Sequence, residues 1–156
     1  MKSTLALQAL ARAGVDHEVL TYDAEVADVG YGRAAAEALG LAEASVFKTL
    51  VAMVDGRAAV AVVPVTGQVA LKAFAAALGA KRAEMADVAV AERLTGYVVG
   101  GISPLGQKRR LPTVIDASAL GIDRIYVSGG RRGLEIGLAP ADLVRLAEAV
   151  VAPIVA

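Results

Sequence analysis

Residues 45–65 read SVFKTLVAMVDGRAAVAVVPV, two apolar runs on either side of Asp55-Gly56. Asp-Gly adopts the positive φ angles that a tight turn between twisted strands needs, so the stretch predicts a β-hairpin with arms over residues 45–54 and 57–65. Lys48 interrupts the first arm between Phe47 and Thr49. An ammonium in an apolar strand requires a path to water or an anionic partner, because burying it alone is costly. The residues leave two readings open: an edge lysine that snorkels to solvent, or a lysine that serves a site.

Upstream of the hairpin, residues 3–13 place Leu5, Ala9 and Arg12 at helical spacing, with Leu7 and Leu10 widening the stripe and Gly14 ending it. Val15 to Tyr22 alternates imperfectly, which predicts an edge strand. A polar, acidic connection over residues 23–32 ends in Gly30-Tyr31-Gly32, and an alanine-rich helix over 33–39 is closed by Gly40. Downstream, Pro64 to Gly67 is a turn, Val69 to Leu78 a helix stopped by Gly79, and Lys81 to Met85 a short strand. Asp87 is placed to cap a helix that runs to Leu94 before Gly96. Tyr97 to Val99 reads as a further strand, as do Thr113 to Asp116, Arg124 to Ser128 and Leu134 to Leu138. Pro140 opens a last helix whose apolar stripe is Leu143, Leu146, Ala147 and Val150. The expected fold is α/β, a single domain over residues 1–156 with a mixed, largely antiparallel central sheet flanked by helices. Hairpin-length connections disfavour a doubly wound parallel sheet.

Composition narrows the function. The apolar share is 56%, largely alanine and valine, yet no run approaches the ~18 residues of a helical membrane span. The opening MKSTLALQALARAG, interrupted by Gln8 and Arg12, reads as an amphipathic helix and not a secretory signal. A cytoplasmic location is expected. Without cysteine there is no disulfide, thiolate nucleophile or zinc-cysteine site. The net charge is zero, but residues 101–132 hold six basic side chains against two acidic ones, so positive charge collects around one region.

That region begins with Gly100-Gly101-Ile102-Ser103-Pro104. Glycines let backbone N–H groups approach a ligand, and Pro104 stiffens the loop, so it can aim donors at an oxyanion or a phosphate. It can equally be an ordinary tight turn. The lone histidine, His17, has no serine or carboxylate motif beside it, which disfavours a triad. His17 reads as structural. Asp16, Glu18, Asp23, Glu25 and Asp28 lack metal-ligand spacing, and no phosphate-binding glycine motif precedes a helix, so metal and nucleotide cofactors are not expected. What remains is a glycine loop, one strand lysine, Tyr22 and Tyr31, and a cationic rim. This set suits an anionic or ester-bearing substrate whose oxyanion is stabilised without a protein nucleophile.

Three segments carry a resemblance: VFKTLVA at residues 46–52, TGYVVGGISPLGQKRRLPTVID at 95–116 and IYVSGGRRGLEI at 125–136. Together they resemble the YbaK family of aminoacyl-tRNA deacylases, relatives of the editing domain of bacterial prolyl-tRNA synthetase. The resemblance implies hydrolysis of cysteine mischarged onto proline tRNA, with the substrate thiol attacking its own ester and no cofactor. It implies catalytic roles for Lys48, Gly100, Gly101 and Ser103, with Gly101 as the foremost oxyanion donor. Tyr22, Tyr31, Thr49, Ile102, Pro104 and Glu135 would contact substrate. Tyr31 and Glu135 stand where relatives often have Phe and Asp. Lys108, Arg109, Arg110, Arg131 and Arg132 would form a tRNA rim, and prolyl-tRNA synthetase is the implied partner. The competing readings are an alanine-specific or broader deacylase, and a non-catalytic tRNA- or synthetase-binding module.

Overall fold

The structure, a computed structural model, describes residues 3–23 and 31–156, with Tyr31 described by its backbone alone. The acidic connection at residues 24–30, and the pocket role expected of the Tyr31 side chain, lie outside the described residues.

The hairpin forms as its sequence dictates. β2 (Phe47–Val54) pairs antiparallel with β3 (Arg57–Pro64) over eight residues, from Phe47 opposite Pro64 to Val54 opposite Arg57. Asp55 and Gly56 take φ of 47° and 83° at the turn. The hairpin is the centre of a five-stranded sheet in the order β4-β2-β3-β5-β8, where β4 is Ala83–Met85, β5 Thr113–Asp116 and β8 Val150–Ala152. β5 joins β3 in parallel and β8 joins β5 in parallel. A second, antiparallel sheet has the order β1-β7-β6, with β1 His17–Thr21, β6 Ile125–Ser128 and β7 Leu134–Leu138. β1 occupies the expected edge. The two sheets meet at a parallel bridge between Val46 and Tyr126. The fold is therefore mixed and largely antiparallel as expected, with its strands divided between two sheets instead of one.

Alternation along the hairpin feeds two cores. Phe47, Val51, Val60 and Val62 pack with Leu10 of α1 (Leu5–Ala13), Ile136 and Leu138. Ala52, Ala59, Ala61 and Val63 face the other way, onto Phe74 of α3 (Leu71–Ala77) and Ile154. Each large apolar side chain so buried contributes about 1.5–3 kcal/mol.

Local chemistry sets the ends. Thr4 caps α1 by accepting from Leu7 N–H, and Gly14 closes it in the left-handed region. Asp87 occupies the cap position of α4 (Val88–Thr95), without a side-chain hydrogen bond there. Four expectations are corrected. α3 starts at Leu71, two residues later than expected, because Val69 bridges Val155 and Ala70 N–H bonds the Ile154 carbonyl. Tyr97–Val99 is not a strand, because local groups satisfy its donors: Tyr97 N–H bonds Thr95 Oγ1 and Val99 N–H bonds Glu92 Oε2. α2 (Tyr31–Leu39) starts two residues earlier than expected. α5 (Pro140–Ala147) stops before Val150, since Glu148 turns left-handed and frees the chain to pair as β8 with β5. No helix among the described residues is long and apolar enough to cross a membrane.

Candidate active site

The first strand of the hairpin also builds the site. β4 covers the outer edge of β2 only from Ala52 to Val54, and Ala86 N–H adds one bond to the Val51 carbonyl. At the other end Val46 bridges Tyr126. Val46 C=O faces β3, where it accepts from Val65 N–H. Strand alternation therefore directs the N–H and C=O of Thr49 outward, into the gap between these two coverings. A cavity of about 400 Å³ opens there.

Its polar wall comes from four elements. β2 supplies Lys48 and Thr49, α2 supplies Arg33, β6 supplies Ser128 and β7 supplies Glu135. The Gly100 backbone and Ile102 line it from the glycine loop, while Val88 and Ala91 of α4 contribute apolar wall. Burial lowers the Lys48 ammonium below its ordinary pKa, and the nearby Arg33 guanidinium lowers it further. Glu135 is almost wholly buried, and burial pushes its carboxyl up to about 8. Among the described residues, both the Thr49 hydroxyl and one Glu135 oxygen are buried without a hydrogen-bond partner. An atom of this kind costs about 1–3 kcal/mol when it stays unpaired, so these two are places where a bound group gains by supplying a partner.

The glycine loop divides its roles. Gly100 takes φ of 88° and lines the cavity. Among the described residues, the N–H groups of Gly100 and Ile102 have no protein acceptor. Gly101 N–H, by contrast, donates to Val98 C=O at 2.8 Å, so the amide expected to be the foremost oxyanion donor is committed to a turn. Gly101 is needed for another reason. A Cβ there would lie 2.6 Å from Arg131 Cα and 2.9 Å from Arg132 N, so the loop packs backbone to backbone on the second glycine-rich turn. Ser103 is fully buried and organises the loop: its Oγ accepts from Leu105 N–H and its carbonyl accepts from Gln107 Nε2. Gly101, Ser103, Pro104 and Tyr22 are not among the described lining residues, and Tyr22 N–H donates to Gly133 C=O.

The expected basic rim is two separate groups. Arg132 Nε donates to the carbonyl of Val99, itself a wall residue, so the Arg131–Arg132 turn sits beside the cavity. Lys108 and Arg109 are fixed behind α4 through their N–H groups, which donate to the Thr95 and Leu94 carbonyls. Lys108 and Arg110 line a different groove of about 700 Å³ with Arg12 of α1. Arg110 also pairs with Glu148 at 2.6 Å, both side chains being exposed. Arg33 and Ser128 are wall residues that the sequence reading missed. His17 lies on β1, its Nδ1 2.8 Å from the Val15 carbonyl, and takes no part in the wall.

Relatives fit this geometry. Residues 27–146 match the aminoacyl-tRNA editing domain. Over 112 residues the chain is 40% identical to EbsC of Enterococcus faecalis, which carries the name Cys-tRNA(Pro)/Cys-tRNA(Cys) deacylase; this spans 71% of the chain and 68% of the relative. Over 144 residues it is 31% identical to the multifunctional Ser/Thr-tRNA deacylase ProXp-y of Escherichia coli K12, spanning 89% of the chain and 84% of the relative. A solved structure described as a trans-editing enzyme for prolyl-tRNA synthetase superposes with a TM-score of 0.88 at 24% identity, over 100% of this chain and 99% of that one, which is a likeness of fold.

Proposed function

Because the chain belongs to the aminoacyl-tRNA editing domain family and is an aminoacyl-tRNA deacylase, we propose that it removes cysteine mischarged onto proline tRNA. The observation that carries this reading is a cavity with Lys48, Arg33 and two free loop amides, but no histidine or cysteine on its described wall. Its volume suits an aminoacyl group and the ribose it is esterified to. Wall hydroxyls such as Thr49 and Ser128 lack the paired base that makes a hydroxyl a nucleophile.

The substrate then supplies the nucleophile. Its thiol sulfur bonds to the ester carbonyl carbon, the carbon–oxygen bond to the ribose breaks, and the thiol proton ends on the departing tRNA hydroxyl. The product is a thiolactone, which water opens afterwards. Holding sulfur and carbonyl in attack geometry contributes roughly 10⁵ or more in effective molarity. The amides of Gly100 and Ile102, in place of Gly101, provide the donors for the oxyanion, and Lys48 adds positive charge.

A second reading is favoured by the likeness to ProXp-y, named for serine and threonine. There water attacks the ester, and Lys48 on the cavity wall is the candidate acceptor of its proton. The deciding experiment charges proline tRNA with Cys, Ser, Ala or Pro, adds Cys-tRNA(Cys), and follows deacylation by wild type and Lys48→Ala. The thiol mechanism expects Cys to be cleaved far faster than Ser. Comparable rates for Ser support the water mechanism, rapid cleavage of Ala supports a broader deacylase, and inactivity towards all supports a binding module. With its cations divided between two faces, the chain grips tRNA weakly alone, which supports delivery of the substrate by prolyl-tRNA synthetase.

A further inference from the structure

Glu135 and Thr49 carry the buried side-chain oxygens that have no hydrogen-bond partner among the described residues, and both line one cavity. Glu135 reaches it from the central strand of the second sheet, opposite Ser128 of β6 and Leu20 of β1. Thr49 reaches it from the gap in β2. Among the described residues, the cationic groups on the wall are Lys48 and Arg33, and neither forms an ion pair with Glu135. The cavity therefore keeps an acid and two cations at separate stations.

A ligand that completes this wall brings a cationic N–H donor to the acid and an electron-rich group to the cations. The acyl end of an aminoacyl ester has that form. Its α-ammonium sits one carbon from the ester carbonyl, whose oxygen becomes anionic on attack. We propose that Glu135, with Thr49 Oγ1 beside it, receives the α-ammonium of the aminoacyl group, so that the site selects esters with a free amine over N-acylated ones. This rests on the deacylase reading. Charge-assisted hydrogen bonds are about twice as strong as neutral ones, and a buried acid left facing an acylated nitrogen has neither charge nor a second donor to meet. Burial raises the carboxyl's pKa to about 8, and pairing with the ammonium favours its ionised form, the carboxyl proton passing to solvent.

The test is calorimetric titration of the intact protein with adenosine carrying L-serine in amide linkage at the 3′ position, and with its N-acetyl counterpart. Neither can be hydrolysed as an ester. The free amine is expected to bind at least ~30-fold more tightly. Glu135→Gln is expected to bind the two alike, and Glu135→Asp to keep part of the preference. Equal binding of both ligands by wild type overturns the proposal without any variant, and so does binding of neither at millimolar concentration. In parallel, wild type is expected to cleave N-acetyl-Cys-tRNA(Pro) at least ~30-fold more slowly than Cys-tRNA(Pro), and equal turnover overturns the proposal. Failure of the deacylase reading is distinct, since every charged tRNA then survives while the titration still reports on the amine.

Discussion

α4 has a different concavity at each end, and they differ in what their walls leave unsatisfied. Val88 and Ala91, in its first turns, help wall the 400 Å³ cavity, where the Thr49 hydroxyl and one Glu135 oxygen are buried without partners among the described residues and Lys48 is pushed below its ordinary pKa. Beyond its last carbonyls lies the 700 Å³ groove of Arg12, Lys108 and Arg110. The cations there reach water, Arg110 has Glu148, and Arg12 lies at the C-terminal end of α1, where the helix dipole favours it. Volume points to the groove and chemistry to the smaller cavity. Unsatisfied polar atoms point to a candidate site more specifically than size does, because leaving them unpaired is costly and a ligand, or water, can offset that cost.

The sharpest way to break this contrast is Lys48→Ala. It is expected to lower kcat/KM on mischarged tRNA about 10³-fold, equivalent to ~4 kcal/mol of transition-state stabilisation, with little change in melting temperature. A loss below about fivefold would put the chemistry elsewhere.

Next in size is a pH effect. The folded pKa of Glu135, about 8, lies above its ordinary 4.5, so the folded state holds the proton more tightly than the unfolded chain. Its contribution to stability is complete below about pH 4.5 and is lost as pH rises to about 8. Glu135→Gln removes that titration. The unfolding free energy of the variant relative to wild type, from denaturant titration, is expected to rise across this window by on the order of 3 kcal/mol. A constant difference between pH 5 and 8 would show that the carboxyl is ionised in the fold.

Gly101→Ala should cost about 2 kcal/mol, because the obstacle to its Cβ is the Arg131 backbone, which cannot swing aside. Gly121→Ala is the control, since a Cβ there meets nothing within 4 Å and its cost should stay below about 0.5 kcal/mol. Equal melting temperatures for the two would dissolve the backbone contact between the glycine turns. The smallest effect expected is that of Arg109→Ala with Arg110→Ala on the groove side: a few-fold rise in KM for tRNA and a salt slope shallower by about 1–2. An unchanged slope would take this face out of the tRNA path.

The hairpin was legible because Asp-Gly between valine-rich runs leaves few alternatives, and Lys48 because a charge in such a run demands a reason. Glu135 carries the same signal inside LEIGL, where it is flanked by residues whose burial is complete. Gly100 and Gly101 look alike in the sequence, yet one lines the cavity and the other supports it through a contact 30 residues away, which no local pattern encodes. Tyr97–Val99 misled because β-forming side chains say nothing of where the donors go, and here Thr95 and Glu92 of the preceding helix take them. Arg33 escaped notice because it belongs to a polar helix start, and only the close approach of Gly32 to Val65 brings that start to the cavity.

The brevity of β4 has an evolutionary consequence. Its ladder with β2 ends at Met85 opposite Ala52, and after one more bond from Ala86 the chain turns into α4 at Asp87. Were that turn delayed by two residues, the strand could continue to the backbone of Thr49 and complete the sheet. Such a descendant would keep Lys48, Glu135 and both glycine turns, with main chain standing where the cavity opens in this fold. An inventory of side chains would not register the change, because the opening depends on the distance at which a strand gives way to a helix.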